Sequence, residues 1–166
     1  MPDLMSHLVI GLILAELFNI KKKSLVVLGA LTPDLLSKTN LITLHFGMPL
    51  QISTTPFHTP IVLLLASILI APLFRYSKIK TIIFFNTGAL SHFLSDITMK
   101  HFTIIGTRLL YPFSRTNYTL NLIWPEQSVY ILVVSLFIYI AIRIYKKNKL
   151  RLRFIFQKFF KKFSKS

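Results

Sequence analysis

The stretch VYILVVSLFIYIAIRIY, residues 129–145, limits the fold first, because it carries a single charge, Arg143. A run this apolar needs a helix to satisfy its own backbone donors and acceptors in hydrocarbon, and its length is near what a bilayer requires. Four further apolar runs precede it, at 4–20, 24–36, 60–74 and 79–97. The 166 residues are 53% hydrophobic and only 15% charged, where soluble domains average about 25% charged. The expected fold is all-α: an integral membrane bundle of about four or five apolar helices. The first run is just long enough to cross. In the second, Pro33 disfavours helical geometry at Thr32 and should bend or end the helix there. Pro60 suits the start of the third, with His58 and Thr59 at its mouth. Residues 37–59 read as a loop, and 98–127 as a long folded loop or a helix lying on the surface.

Charge then orients the runs. Twenty Lys and Arg face five acids, a net +15, clustered at 21–23, 75–80 and in the tail. If the five runs alternate across a membrane, all three clusters fall on one side, and the positive-inside rule makes that side cytoplasmic. The tail KKNKLRLRFIFQKFFKKFSKS, residues 146–166, holds nine bases and no acid. It is expected to form a basic amphipathic juxtamembrane segment after a membrane-embedded domain of residues 1–145. Membrane lipids with anionic headgroups are the expected partners, each base contributing about 1 kcal/mol. The same letters suit nucleic acid, but none is expected directly after a membrane helix. With no cysteine, disulfides and thiolate metal sites are excluded. The start lacks a positive n-region, so no cleaved signal peptide is expected.

Against this background the rare ionisable residues stand out. His92 and Asp96 are four apart in GALSHFLSDITMKH, residues 88–101, and project from one helix face, with Gly88 one turn earlier leaving room beside them. Alternating topology brings His7, Asp34 and His58 to the same outer end, with His101 just beyond. Glu16, nearer the lysines, reads as a paired or snorkelling acid. Singly, each polar residue has a plainer role: a histidine bonded to a carbonyl, or Asp34 as a turn residue after Pro33. Jointly, ionisable groups at membrane depth point to function. Asp34, His58, His92 and Asp96 suit zinc or a similar divalent ion, and His7 could help hold a second with one carboxylate bridging. Such a site supports hydrolysis through a metal-activated water, with Asp34 or Asp96 as base when not fully engaged as a ligand. Arg108 and Arg115 are candidates to steady a phosphate, or else interfacial anchors. Two other classes stay open. One is a non-enzymatic membrane protein with a structural metal site. The other is an ion or proton transporter using His92 and Asp96, for which only Asn86, Thr87 and Glu16 offer a path toward the other end.

SHLVIG near the start, LTPD at 31–34, FHTP at 57–60 and GALSHFLSDITMKHFTIIGTRLLYPFS at 88–114 resemble the YdjM-like family of inner-membrane-associated, metal-dependent hydrolases. The likeness covers about residues 5–120, without the tail, and implies a multi-pass protein of the bacterial inner membrane. Two features depart from it: Leu36 stands where the family usually has an acid, and ISTTPFHTP lacks the first histidine of its block. A more distant similarity is to the zinc-dependent phospholipase C and single-strand nuclease superfamily. It implies one metal on Asp34, His58, His92 and Asp96, and another on His7 and Asp96. His101 would match a later histidine there, whereas that group's further HxxxE ligands are missing.

Overall fold

The computed structural model of the chain describes residues 4–38, 45–46, 58–100 and 109–163. Among these, five α-helices form: α1 (Leu4–Leu17), α2 (Lys23–Ser37), α3 (Pro60–Ile70), α4 (Lys78–Thr98) and α5 (Ser128–Phe163), with no strand beyond one isolated bridge, Met99 to Ile123. Local chemistry sets the ends. Asn19 takes the left-handed φ of 53° that asparagine tolerates, and the Ile20 N–H closes α1 on the Ala15 carbonyl at 2.8 Å. Pro60 opens α3 after an extended Thr59, as its missing N–H allows. Pro33, by contrast, does not end α2; the helix carries it internally and runs on to Ser37. Proline removes the bond to the Gly29 carbonyl four residues back, and that turn is held instead by α4.

The α2–α4 contact is the centre of the fold, and it is backbone against backbone. A Cβ on Gly88 would lie 1.9 Å from the Val26 carbonyl oxygen, and one on Gly29 would lie 1.9 Å from that of Phe85. Small residues at a crossing allow this approach. Leu63, Phe85, Ala89 and Phe93 fill the core on one side, and Ala15, Ile20 and Val26 on the other.

α1 and α5 lie side by side and run the same way. At one end the Ser6 hydroxyl donates to the Ser128 carbonyl (3.4 Å); at the other Arg143 Nη1 donates to Glu16 Oε1 (3.1 Å). Lys23 and Lys146 join Glu16, and Lys146 also donates to Asn19 Oδ1 (2.6 Å). Lys22 lies 5.8 Å over the Tyr76 ring. These contacts gather the three basic clusters at one end, and Glu16 is the paired acid expected there. Burying one carboxylate among three cations leaves it no substitute partner. Glu16→Gln should therefore loosen α5 from α1, and trypsin cleavage within Lys146–Lys149 in detergent should rise roughly tenfold, while cleavage elsewhere is unchanged.

Among the described residues, Pro125–Lys149, which runs into α5, is the one stretch long and apolar enough to cross a membrane, where a bundle of about four or five apolar helices was expected. α1 has 14 residues and α3 has 11, about 21 and 17 Å against a hydrocarbon core of about 30 Å. α4 has 21 residues but begins at Lys78 and carries Lys80, Asn86, His92 and Asp96. α5 continues without a break past 145 into the basic tail. Residues 109–124 are turns and extended chain rather than a surface helix, and Leu120 and Leu122 donate to the carbonyls of Ile97 and Thr98. The distribution of polarity is inverted relative to a soluble domain: Leu69, Leu73, Ile79 and Phe137 are 77%, 80%, 71% and 69% exposed, while His7, Asp34, His92 and Asp96 are buried.

Candidate metal centre

Three helices and the segment leading into a fourth deliver five side chains to the end opposite the basic clusters. His7 comes from the first turn of α1, Asp34 from the last turn of α2, His58 from the residues leading into α3, and His92 and Asp96 from the last two turns of α4. The Gly29–Gly88 approach makes this convergence possible, because it brings the α2 backbone to the foot of His92. There His92 Nδ1 donates to the Ala30 carbonyl at 2.8 Å.

That bond fixes the tautomer. With Nδ1 protonated, Nε2 of a neutral His92 presents a lone pair. Yet Nε2 faces acceptors, with Asp96 Oδ2 at 3.2 Å and Asp34 Oδ1 at 3.9 Å, and lies 3.3 Å from His58 Nε2. His58 Nε2 is 2.6 Å from Asp96 Oδ2, and His7 Nε2 is 3.5 Å from Asp96 Oδ1. The His7 and His92 rings stack at 3.8 Å between centroids, and His58 stands edge-on to His92 at 4.9 Å.

Such a set is unstable as bare polar groups. Both ring nitrogens of His7, Nδ1 of His58 and Oδ1 of Asp96 are buried without a hydrogen-bond partner, an arrangement that costs about 1–3 kcal/mol per group. A cation between the imidazole nitrogens and carboxylate oxygens would remove that cost. Two triads have the required convergence, with one donor atom from each residue and all within 4.8 Å of one another: His7, Asp34 and His92, and His58, His92 and Asp96. Mixed nitrogen and oxygen donors without sulfur suit zinc or a comparable divalent ion. The Ala30 carbonyl is the kind of outer partner that orients a ligating imidazole. The residues present therefore fit the group.

All five expected ligands come together. Of them, His58 alone has a partly exposed side chain, at 15%. His101 and Arg108 lie outside the described residues. Arg115 is exposed, in the turn-rich segment after α4. Leu36, which stands where the resembled family usually has an acid, packs against the Leu63–Phe93 core cluster. The Ala30 carbonyl escaped the sequence reading, since no letter marks a backbone acceptor. Gly29, next to it, gave only the weak signal of a lone glycine on its apolar run. The three groups on the transporter path are engaged elsewhere. Asn86 donates to Ser67 and the Ile82 carbonyl, Thr87 donates to the Ile83 carbonyl, and Glu16 holds its three cations.

The described residues define a helical protein with one candidate membrane span among them and a largely buried His/Asp cluster able to hold a metal ion at one end. The chain belongs to the family described as YdjM inner membrane protein, which it matches over residues 1–157. The match extends beyond the 5–120 carried by the motifs and takes in much of the basic tail. No curated protein and no solved structure matches the chain.

Proposed function

We propose that the protein is a membrane-bound, metal-dependent hydrolase acting on a phosphoester at the membrane surface. The observation that carries this reading is the convergence of five His and Asp side chains, four of them buried, whose donor atoms lack hydrogen-bond partners in part and face one another. His7, Asp34, His58, His92 and Asp96 would hold one or two divalent ions, zinc being the best fit to the donors. Such an ion, when bound, supplies Lewis-acid activation of water and of a phosphoryl oxygen. Asp96 points one oxygen toward His7 and the other toward His58 and His92, so it suits a bridging role. Asp34, at the longer distance from His92, is the better candidate to accept a proton. His58, at the exposed edge, would meet substrate first. The likeness to the phospholipase C superfamily supports the same ligand order.

The membrane reading belongs to this proposal. Exposed leucines and isoleucines on α3, α4 and α5 would face lipid, α5 would cross it, and the chain would be multi-pass in the inner membrane. The gathered basic clusters would be cytoplasmic, with the tail on anionic headgroups and no nucleic acid bound. Arg115, exposed, fits an interfacial anchor.

The test is metal content together with turnover of a phospholipid, for wild type and His92→Ala in lipid nanodiscs. Wild type should carry stoichiometric divalent metal; His92→Ala should express normally, keep less than about a tenth of the metal, and turn over no substrate. Metal-free wild type would reject the centre. Metal without turnover of any phosphoester would leave it structural.

A further inference from the structure

Beside the centre lies a groove of about 320 Å³, between α1, α4 and the start of α5. Its walls are Ile10, Ile13 and Leu14 of α1, Leu94 of α4, Ile123 and Ile131. Three hydroxyls also border it, those of Ser91, Ser95 and Thr98, but each is spent on its own helix. Ser91 donates to the Gly88 carbonyl (2.6 Å), Ser95 to that of Ser91 (2.9 Å) and Thr98 to that of Ser95 (2.6 Å). A groove whose polar groups are already satisfied offers no fixed donor to a headgroup or a sugar, and it suits a hydrocarbon chain.

Its position agrees. Ser91 and Ser95 directly precede His92 and Asp96, and Ile10 lies one turn from His7, so the groove runs along the flank of the centre at the same level. Ile131 is the fourth residue of α5, whose Pro125–Lys149 stretch is the candidate span. Ile123 is followed by Trp124, and Lys100 Nζ sits 3.7 Å over the Trp124 ring. A Trp–Lys pair at the end of an apolar helix marks headgroup depth. The groove thus begins where bilayer hydrocarbon would begin.

We infer that this groove takes one acyl chain of a membrane phospholipid and so places that lipid's phosphoester at the His/Asp centre. The substrate class is then an acyl-chain phospholipid rather than a water-soluble phosphoester; the substrate role rests on the hydrolase reading, whereas the chain site does not.

The experiment uses full-length protein in nanodiscs containing phosphatidylglycerol with a diazirine in one acyl chain. After irradiation, adducts are mapped by peptide mass spectrometry. Adducts should concentrate at Ile10, Ile13, Leu94 and Ile131 at several times the level at Leu69, an exposed residue that reports ordinary lipid contact. Added dodecyl phosphate should compete at the groove and not at Leu69, and glycerol phosphate should compete at neither. Ile13→Trp and Ile131→Trp, filling the groove from opposite walls, should each abolish the enriched labelling with bound metal unchanged. They should also slow phospholipid turnover while leaving turnover of p-nitrophenyl phosphate as in wild type. Labelling of wild type no greater than at Leu69, or competition by glycerol phosphate alone, overturns the acyl groove whatever the metal result. Enriched, competed labelling on metal-free protein keeps the groove and rejects the hydrolase.

Discussion

Asp96→Asn is expected to disable the His58–His92–Asp96 triad, with affinity for zinc there falling by more than about 100-fold, beyond the 10–100-fold typical of outer partners. The reason is geometric. Asp96 Oδ2 lies 2.6 Å from His58 Nε2 and 3.2 Å from His92 Nε2, and Oδ1 lies 3.5 Å from His7 Nε2. The carboxylate is therefore shared by three imidazoles, from α1, from α4 and from the segment leading into α3. An amide has the same shape but no charge, and half of it donates. It would have to turn an NH₂ either toward His7 or toward His58 and His92, and could not serve both sides as an acceptor. His7→Ala is the contrasting case, because His7 touches only one side of the cluster. It should reduce zinc stoichiometry from two to one if two ions bind, and leave the His58–His92–Asp96 triad loaded. Isothermal titration with zinc on apo protein, followed by metal analysis after dialysis, separates the two. Equal stoichiometry in Asp96→Asn and wild type would mean that the carboxylate is a structural hydrogen-bond acceptor. In that case the buried donors of His7 are satisfied by something other than a metal.

The site was more legible in the sequence than the fold that holds it. His92 and Asp96 were readable because helical spacing puts residues four apart on one face, and because charged groups are rare on an apolar run. His7, Asp34 and His58 followed from alternation of the runs, and their convergence came out as expected. The span count did not. Hydrophobicity counted over the whole chain cannot distinguish helices that cross from helices too short to do so, and α1 and α3 are short. Pro33 does not end its helix for a related reason. Proline's local penalty was weighed without tertiary contact, and α2 continues past Pro33 with α4 packed closely against the Gly29 turn. The Ala30 carbonyl could not be read at all, since its role depends on how close two backbones come.

That closeness can itself be tested, and the expected effect is large. Gly88→Ala places a Cβ 1.9 Å from the Val26 carbonyl oxygen and 2.8 Å from the Ala30 nitrogen. Both neighbours are backbone, so neither can rotate away, and α2 and α4 must separate. Alanine favours the helix over glycine by about 1 kcal/mol, and overpacking a core costs about 1–3 kcal/mol where side chains can adjust. Here they cannot, so a net loss of about 3 kcal/mol or more is expected, read as a clear fall in Tm in detergent. Separation would also pull the Ala30 carbonyl from His92 Nδ1, and metal affinity should fall with stability although no ligand has changed. Gly11→Ala is the internal control: its Cβ would meet the Ala30 side chain at 3.1 Å, which a few tenths of an ångström relieve. Gly29→Ala should resemble Gly88→Ala, because its Cβ would lie 1.9 Å from the Phe85 carbonyl oxygen across the same crossing. The double variant should then cost little more than either single, since helices already forced apart have room for the second methyl. Additive losses would mean that the two glycines relieve separate contacts, and a Gly88→Ala protein with wild-type Tm and metal affinity would show that the crossing does not hold the centre in place.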